Sequence, residues 1–151
     1  MQFATFHDLE DQSIFITGGG SGIGADLTKG FLLQGAKVTF IQRSNPQKFL
    51  MECKGRYKHE PGFIECDVTN TKELKSALQT TEKNQGCISV LVNNAANDTR
   101  HTLGEFTSEQ WDKTMNVNVK PHFFAAQEVI EGMKKNGGGS IINFSSISYM
   151  M

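Results

Sequence analysis

The chain is short of cysteine, of charge of one sign and of long apolar runs, and each shortage removes a class of protein. Its three cysteines, Cys53, Cys66 and Cys87, are odd in number and form no Cys-x-x-Cys. That argues against a disulfide framework or a zinc site and for free thiols in a reducing compartment. Fifteen Lys and Arg against sixteen Asp and Glu leave a net charge of −1, so no basic field draws nucleic acid or an anionic membrane surface. No apolar stretch approaches the ~20 residues that span a bilayer. The charged opening dozen residues do not read as a signal peptide. There is neither an internal repeat nor a linker. These absences predict a cytoplasmic protein with no nucleic-acid partner, no membrane and no metal. It reads as one domain over residues 1–151, burying about two-thirds of its unfolded surface.

What is present is glycine, and it is concentrated in Thr17-Gly18-Gly19-Gly20-Ser21-Gly22-Ile23-Gly24, directly after the apolar run Ile14-Phe15-Ile16. A strand that ends in a tight glycine turn and opens into a helix points backbone N–H groups at an anion. The spacing is Gly18-x-x-x-Gly22-x-Gly24, which departs from the general G-x-G-x-x-G fingerprint. A bare glycine cluster also suits a flexible turn, and the residues further along decide against that.

In chain order, Met1 to Gln12 reads as a lead-in arm that tucks one ring, Phe3 or Phe6, against the domain. Ser13 to Thr17 is a first strand. Gly22 to Gln34 is a helix with Ile23, Leu27 and Phe31 on one face, stopped by Gly35. Lys37 to Ile41 is a second strand, which closes a βαβ unit of about thirty residues. Ser44-Asn45-Pro46 starts a short helix to Cys53, Phe63 to Cys66 is a third strand, and Thr69 or Asn70 caps a helix bearing Leu74, Ala77 and Leu78. Ile88 to Val92 is a fourth strand. Ser108 to Asn118 is a helix with Trp111 and Met115 on one face, placed in the core or at a subunit contact. Pro121 suits a bend or the first turn of a continuation that carries Phe123, Ala126, Ile130 and Met133. Ile141 to Phe144 is a fifth strand. Strands alternating with helices predict an α/β, Rossmann-type doubly wound parallel sheet. Ligands collect at the carboxyl ends of such strands. Gly18, Gln42-Arg43, Asp67, Asn93-Asn94 and Ser145-Ser146 all fall there.

With those residues in place the chain resembles the short-chain dehydrogenase/reductase family. The resemblance rests on Thr17-Gly18-x-x-x-Gly22-Ile23-Gly24, Asp67-Val68, Asn93-Asn94-Ala95, Asn118 in Asn116-Val117-Asn118-Val119, and Ser146 after Ile141-Ile142-Asn143-Phe144. It implies an NAD(P)-dependent oxidoreductase acting on a small-molecule substrate. Gly18, Ser21 and Ile23 would line the cofactor phosphates, Asp67 and Val68 would flank the adenine, and Asn94 would sit near the nicotinamide ribose. Asn118 would hold a water in a proton relay at a helix kink, and Ser146 would hydrogen-bond the reacting oxygen. Ala96 stands where the family usually has glycine. Within the family, the segments Asn94 to His101 and Gly137 to Ser148 resemble bacterial aldose 1-dehydrogenases of the xylose type. Asn97, Asp98, Arg100 and His101 either meet sugar hydroxyls or form a solvated loop held by an Asp98–Arg100 pair.

The family's base is a tyrosine about a dozen residues past the serine, with a lysine four further on. Both would lie past Met151, and Tyr149 is too close to Ser146 to serve. The chain therefore reads as an amino-terminal portion, cut after the fifth strand and inactive by itself, with apolar surface at Ile141 and Phe144 that favours association. The complete protein is expected to be a homo-oligomer. Gln42 and Arg43, in place of an acidic residue at the end of the second strand, favour NADP over NAD, or allow both. The alternative class is a non-catalytic dinucleotide-binding or interaction module that lacks the Tyr-x-x-x-Lys pair. A methyltransferase-like domain is disfavoured by Asn118 and Ser146.

Overall fold

The computed structural model describes residues 4–100, 102 and 104–146. Five strands form one parallel sheet: β1 (Ser13–Thr17), β2 (Lys37–Gln42), β3 (Gly62–Glu65), β4 (Ile88–Asn93) and β5 (Ser140–Asn143). Their order across the sheet is β3-β2-β1-β4-β5. Five helices connect them: α1 (Gly22–Leu33), α2 (Gln47–Cys53), α3 (Thr71–Gln85), α4 (Ser108–Asn118) and α5 (Lys120–Lys135). The strand order reverses between β1 and β4, and that switch point opens a crevice at the carboxyl edge.

The core lies in two layers, one on each face of the sheet. Ile14 and Ile16 of β1 point to the α1 and α2 side, among Ala25, Leu32, Val38, Phe40, Phe49, Val90 and Val92. Phe15 points the other way, among Leu74, Ala77, Leu78, Leu91, Ala125, Val129 and Met133 of α3, β4 and α5. The two-residue alternation of a strand explains this division. Cover on both faces explains why every residue of β1 is buried.

Helix ends follow local chemistry. Asn70 caps α3, its side chain accepting from the Lys72 and Glu73 amides, and Thr107 with Gln110 forms a capping box at α4. Pro121 stands in the first turn of α5, where its missing N–H costs nothing.

Several expected faces are turned. On α1 the buried residues are Gly24, Ala25, Thr28 and Leu32, and Ile23 is exposed. The helix rotates so that its glycine meets the turn after β1. On α5 the buried set is Pro121, Ala125, Val129 and Met133, so Phe123 and Ile130 face outward while Ala126 only borders the core. Small residues let α5 lie close to α3 and β4. Trp111 is exposed, and its ring meets Phe106 edge-on. The lead-in arm docks through Leu9, which borders the core, rather than through the exposed ring of Phe6. Phe3 lies outside the described residues.

Candidate functional site

The crevice is built by stitching the end of β1 to the end of β4. The buried Thr17 hydroxyl oxygen accepts the N–H groups of Asn94 and Ala95, each at 2.9 Å. The Asn94 side chain returns the contact, its Nδ2 donating to the carbonyls of Thr17 at 3.0 Å and Gly18 at 3.2 Å. Gly18 donates its own N–H to Ile41 of β2 at 2.7 Å. Three strands therefore meet at one turn. Gly18 has φ +72°, a region that costs most side chains about 1–2 kcal/mol. A Cβ on Gly24 would lie 2.0 Å from the Gly18 carbonyl oxygen, so glycine there lets α1 start directly against the turn.

The helix end above this turn is open. Ser21 has cap-like backbone angles, yet its hydroxyl makes no capping bond. A Cβ on Gly22 would meet nothing within 4 Å. Ile23 is 64% exposed beside it. The first turn of α1 thus begins beside the crevice without a side-chain cap from Ser21, and such a glycine-lined helix start suits a pyrophosphate.

Toward the β3 edge, Gln42 accepts the Gly20 N–H at 3.0 Å and donates to the Ser44 carbonyl at 2.7 Å. Arg43 is exposed. The carboxyl of Asp67 accepts from the Thr69 N–H at 2.9 Å and hydroxyl at 2.8 Å. Those donors, aided by the charge of Arg43, hold it below the usual carboxylate range. Val68 is half-buried against the core of the α3 face. Burial pushes the neighbouring Cys66 thiol up to about 11, so it offers no thiolate at neutral pH.

On the β5 side, Asn118 grips the main chain of Asn97 at two points. Its Oδ1 accepts the Asn97 N–H at 2.7 Å and its Nδ2 donates to the Asn97 carbonyl at 3.0 Å. The helical ladder breaks just past it: Val119 separates α4 from α5, and the His122 N–H bonds to Val119 at 3.1 Å. Asn97 in turn accepts from the Thr99 N–H and hydroxyl. No ion pair joins Asp98 to Arg100 among the described residues. Asn97 holds that loop instead. Ser146 is exposed three residues past β5. Asn93 donates to Asn143 at 2.8 Å and ties β5 to β4. His101 and Tyr149 lie outside the described residues.

The model of the short chain dehydrogenase family matches residues 12–151. The chain belongs to that family. It is 41% identical over 150 residues to a D-xylose 1-dehydrogenase of Caulobacter vibrioides, covering 99% of this chain and 59% of that protein. It is 39% identical over 148 residues to a probable galactose dehydrogenase of Rhizobium meliloti, covering 97% and 58%. Among solved structures, the ligand-free aldohexose dehydrogenase of Thermoplasma acidophilum superposes with a TM-score of 0.80 at 32% identity, covering 94% of this chain and 52% of that one. An NADPH-dependent 3-quinuclidinone reductase of Rhodotorula rubra gives 0.87 at 29%, covering 95% and 55%. The chain thus spans little more than half the length of these short-chain dehydrogenase relatives.

Short-chain dehydrogenases use a nicotinamide dinucleotide, and the open α1 end with its glycine turn fits one. Sequence reasoning missed the brace behind that turn. Thr17 and Thr28, whose hydroxyl donates to the Gly19 carbonyl at 2.8 Å, are both fully buried. The available signal was a threonine four residues past Gly24, on the face that Gly24 shares.

Proposed function

We propose that residues 1–151 are the dinucleotide-binding part of a cytoplasmic short-chain oxidoreductase that oxidises an aldose at its anomeric hydroxyl to the lactone. The observation that carries the reading is the turn at the β1/β4 switch point, where Gly18, Ser21 and Ile23 surround a helix end without a side-chain cap. Asp67 and Val68 flank the adenine on this reading, and Asn94 forms the wall beside the nicotinamide ribose. The bound nicotinamide supplies the hydride acceptor. Ser146 orients the sugar oxygen. Asn118, fixed on Asn97 at the helix break, supports the water of the proton relay. The substrate class is supported by the relatives' names, xylose, galactose and aldohexose dehydrogenases.

NADP is favoured over NAD. No carboxylate stands at the end of β2 to bond the ribose 2′-hydroxyl and repel a 2′-phosphate, and Arg43 supplies a guanidinium there. The exposed Trp111, Phe123 and Phe124 of α4 and α5 suit contacts in a homo-oligomer.

The tyrosine and lysine that the family places past its serine have no counterpart in residues 1–151, so on this reading the chain lacks the group that takes the hydroxyl proton at neutral pH. The purified chain should bind dinucleotide and show no cofactor reduction with sugars. A longer version carrying Tyr-x-x-x-Lys should reduce NADP with D-xylose, D-galactose or D-glucose, read by the near-ultraviolet absorbance of the reduced nicotinamide, and lose this with Ser146→Ala. Turnover of simple ketones or secondary alcohols but of no aldose would reject the substrate class.

A further inference from the structure

Two threonines within helices, Thr28 of α1 and Thr81 of α3, are buried at 0% and 1% exposure, and they use their hydroxyls differently. Thr81 makes the bond open to any helical threonine, donating to the Ala77 carbonyl one turn back at 2.9 Å. Thr28 reaches outside its helix and donates to the Gly19 carbonyl at 2.8 Å. That carbonyl has no other hydrogen-bond partner among the described residues. At the other end of the same peptide unit, the Gly20 N–H donates to Gln42 Oε1 at 3.0 Å. A trans peptide is planar and points its C=O and N–H in opposite directions, so one bond into α1 and one onto the end of β2 fix the plane between them. A Cβ on Gly19 would lie 2.9 Å from Thr28 Oγ1, so glycine there admits the contact. Glycine on both sides of the peptide would otherwise let that plane turn over at little steric cost.

We propose that Thr28 is a positioning residue for dinucleotide affinity: its hydroxyl holds the Gly19–Gly20 peptide in one orientation, so that the turn meets the pyrophosphate already in its binding shape. Thr28 acts from beneath the turn, without touching the ligand. This rests on the dinucleotide reading above. Without the hydroxyl the turn populates other orientations, and binding has to restore the competent one, which lowers affinity. The pyrophosphate is common to NAD and NADP, so both should weaken alike.

The test is calorimetric titration of the 151-residue chain with NADP and, separately, NAD, beside thermal unfolding. Thr28→Val keeps the side-chain shape but removes the donor, and should weaken both cofactors about tenfold. Thr28→Ala removes the donor as well and should do the same, so either folded variant suffices. Thr28→Ser keeps the donor and should bind both cofactors within about threefold of the unaltered chain. Thr81→Val deletes an equally buried hydroxyl on another helix, and should lower the melting temperature while leaving both affinities unchanged. Unaltered affinity in folded Thr28→Val or Thr28→Ala, a loss confined to one cofactor, a Thr28→Ser loss as large as theirs, or unfolding of both would overturn the proposal and make Thr28 a structural residue only. An equal loss in Thr81→Val would also overturn it, because weaker binding would then follow from lower stability alone. If the unaltered chain binds neither cofactor, the dinucleotide reading itself fails, and the role of Thr28 fails with it.

Discussion

Two runs of three glycines sit at opposite edges of the parallel sheet, one just after β1 and one just before β5, and do different physical work. In Gly18-Gly19-Gly20, space is what matters: a Cβ on Gly19 would lie 2.4 Å from Phe40 Cβ and 2.9 Å from Thr28 Oγ1. In Gly137-Gly138-Gly139 the first two positions have φ of +89° and +130° with nothing within 4 Å of a Cβ, so backbone freedom is what matters. The strands beside them differ likewise. β1 is buried at all five positions, while β5 is exposed at all four, although both carry adjacent large apolar residues. β1 lies between β2 and β4 with helices over both faces, whereas β5 pairs with β4 alone among the described residues. Identical sequence signals thus mark a packed, stitched centre in one place and an open edge in the other.

The largest effect that would sharpen this contrast is a pair of core truncations. Phe15→Ala, at 0% exposure, should cost about 3–5 kcal/mol. Ile142→Ala, at 42% exposure, should cost about 1 kcal/mol or less. Urea unfolding of the two variants compares them directly, and equal losses would show that β5 is packed as tightly as β1.

The second contrast is between the glycine runs. Gly19→Ala forces its new methyl into Phe40 and should cost about 1–3 kcal/mol, with dinucleotide affinity falling in parallel. Gly137→Asn, in open space and with a residue that tolerates positive φ, should cost under about 1 kcal/mol and leave that affinity alone. Denaturation midpoints and titrations on both variants read this out.

The smallest effect concerns the lead-in to β1. Hydrogen bonds from Lys58 and His59 hold the Asp11 carboxyl at about 2, below its ordinary 3.8. A depressed carboxylate stabilises the fold fully above its unfolded pKa, so this contribution should fade as pH falls from about 4 toward 2. The cluster is exposed, so the change should be slight. Asp11→Asn should flatten that part of the acid limb in thermal melts while leaving neutral pH nearly unchanged.

Element order was legible in the sequence because each strand is a short β-rich run bounded by turn residues. β1 has the expected bounds, and the others differ by a residue or so. Helix faces were less legible. Periodicity on α1 picked out Ile23, Leu27 and Phe31; Leu27 and Phe31 do pack against the core, whereas Ile23 is exposed and Gly24, Ala25 and Thr28 are buried more deeply, because α1 starts directly against the glycine turn. On α5, Ala125 and Val129 are buried in place of Phe123 and Ile130, because small residues let that helix lie close to α3 and β4. At the candidate site, the glycine turn was visible as spacing, and Asn94, Asn118 and Ser146 were singled out through the family resemblance. The bonds that organise them were not: Thr17 onto β4, Gln42 onto Gly20 and Asn118 onto Asn97 join residues at least 21 positions apart, and no local pattern records such pairs.

The central claim is that the turn between β1 and α1 is a dinucleotide site. It is tested most directly by following the backbone amide resonances of the 15N-labelled 151-residue chain as NADP is added. The amides of Gly18, Gly20, Ser21, Gly22 and Ile23 should shift most, Arg43 and Asp67 should follow, and those of Gly137 to Ile142 should stay in place. No shift at saturating NADP, or shifts centred on α2 or the β5 edge with the glycine turn silent, would contradict the account.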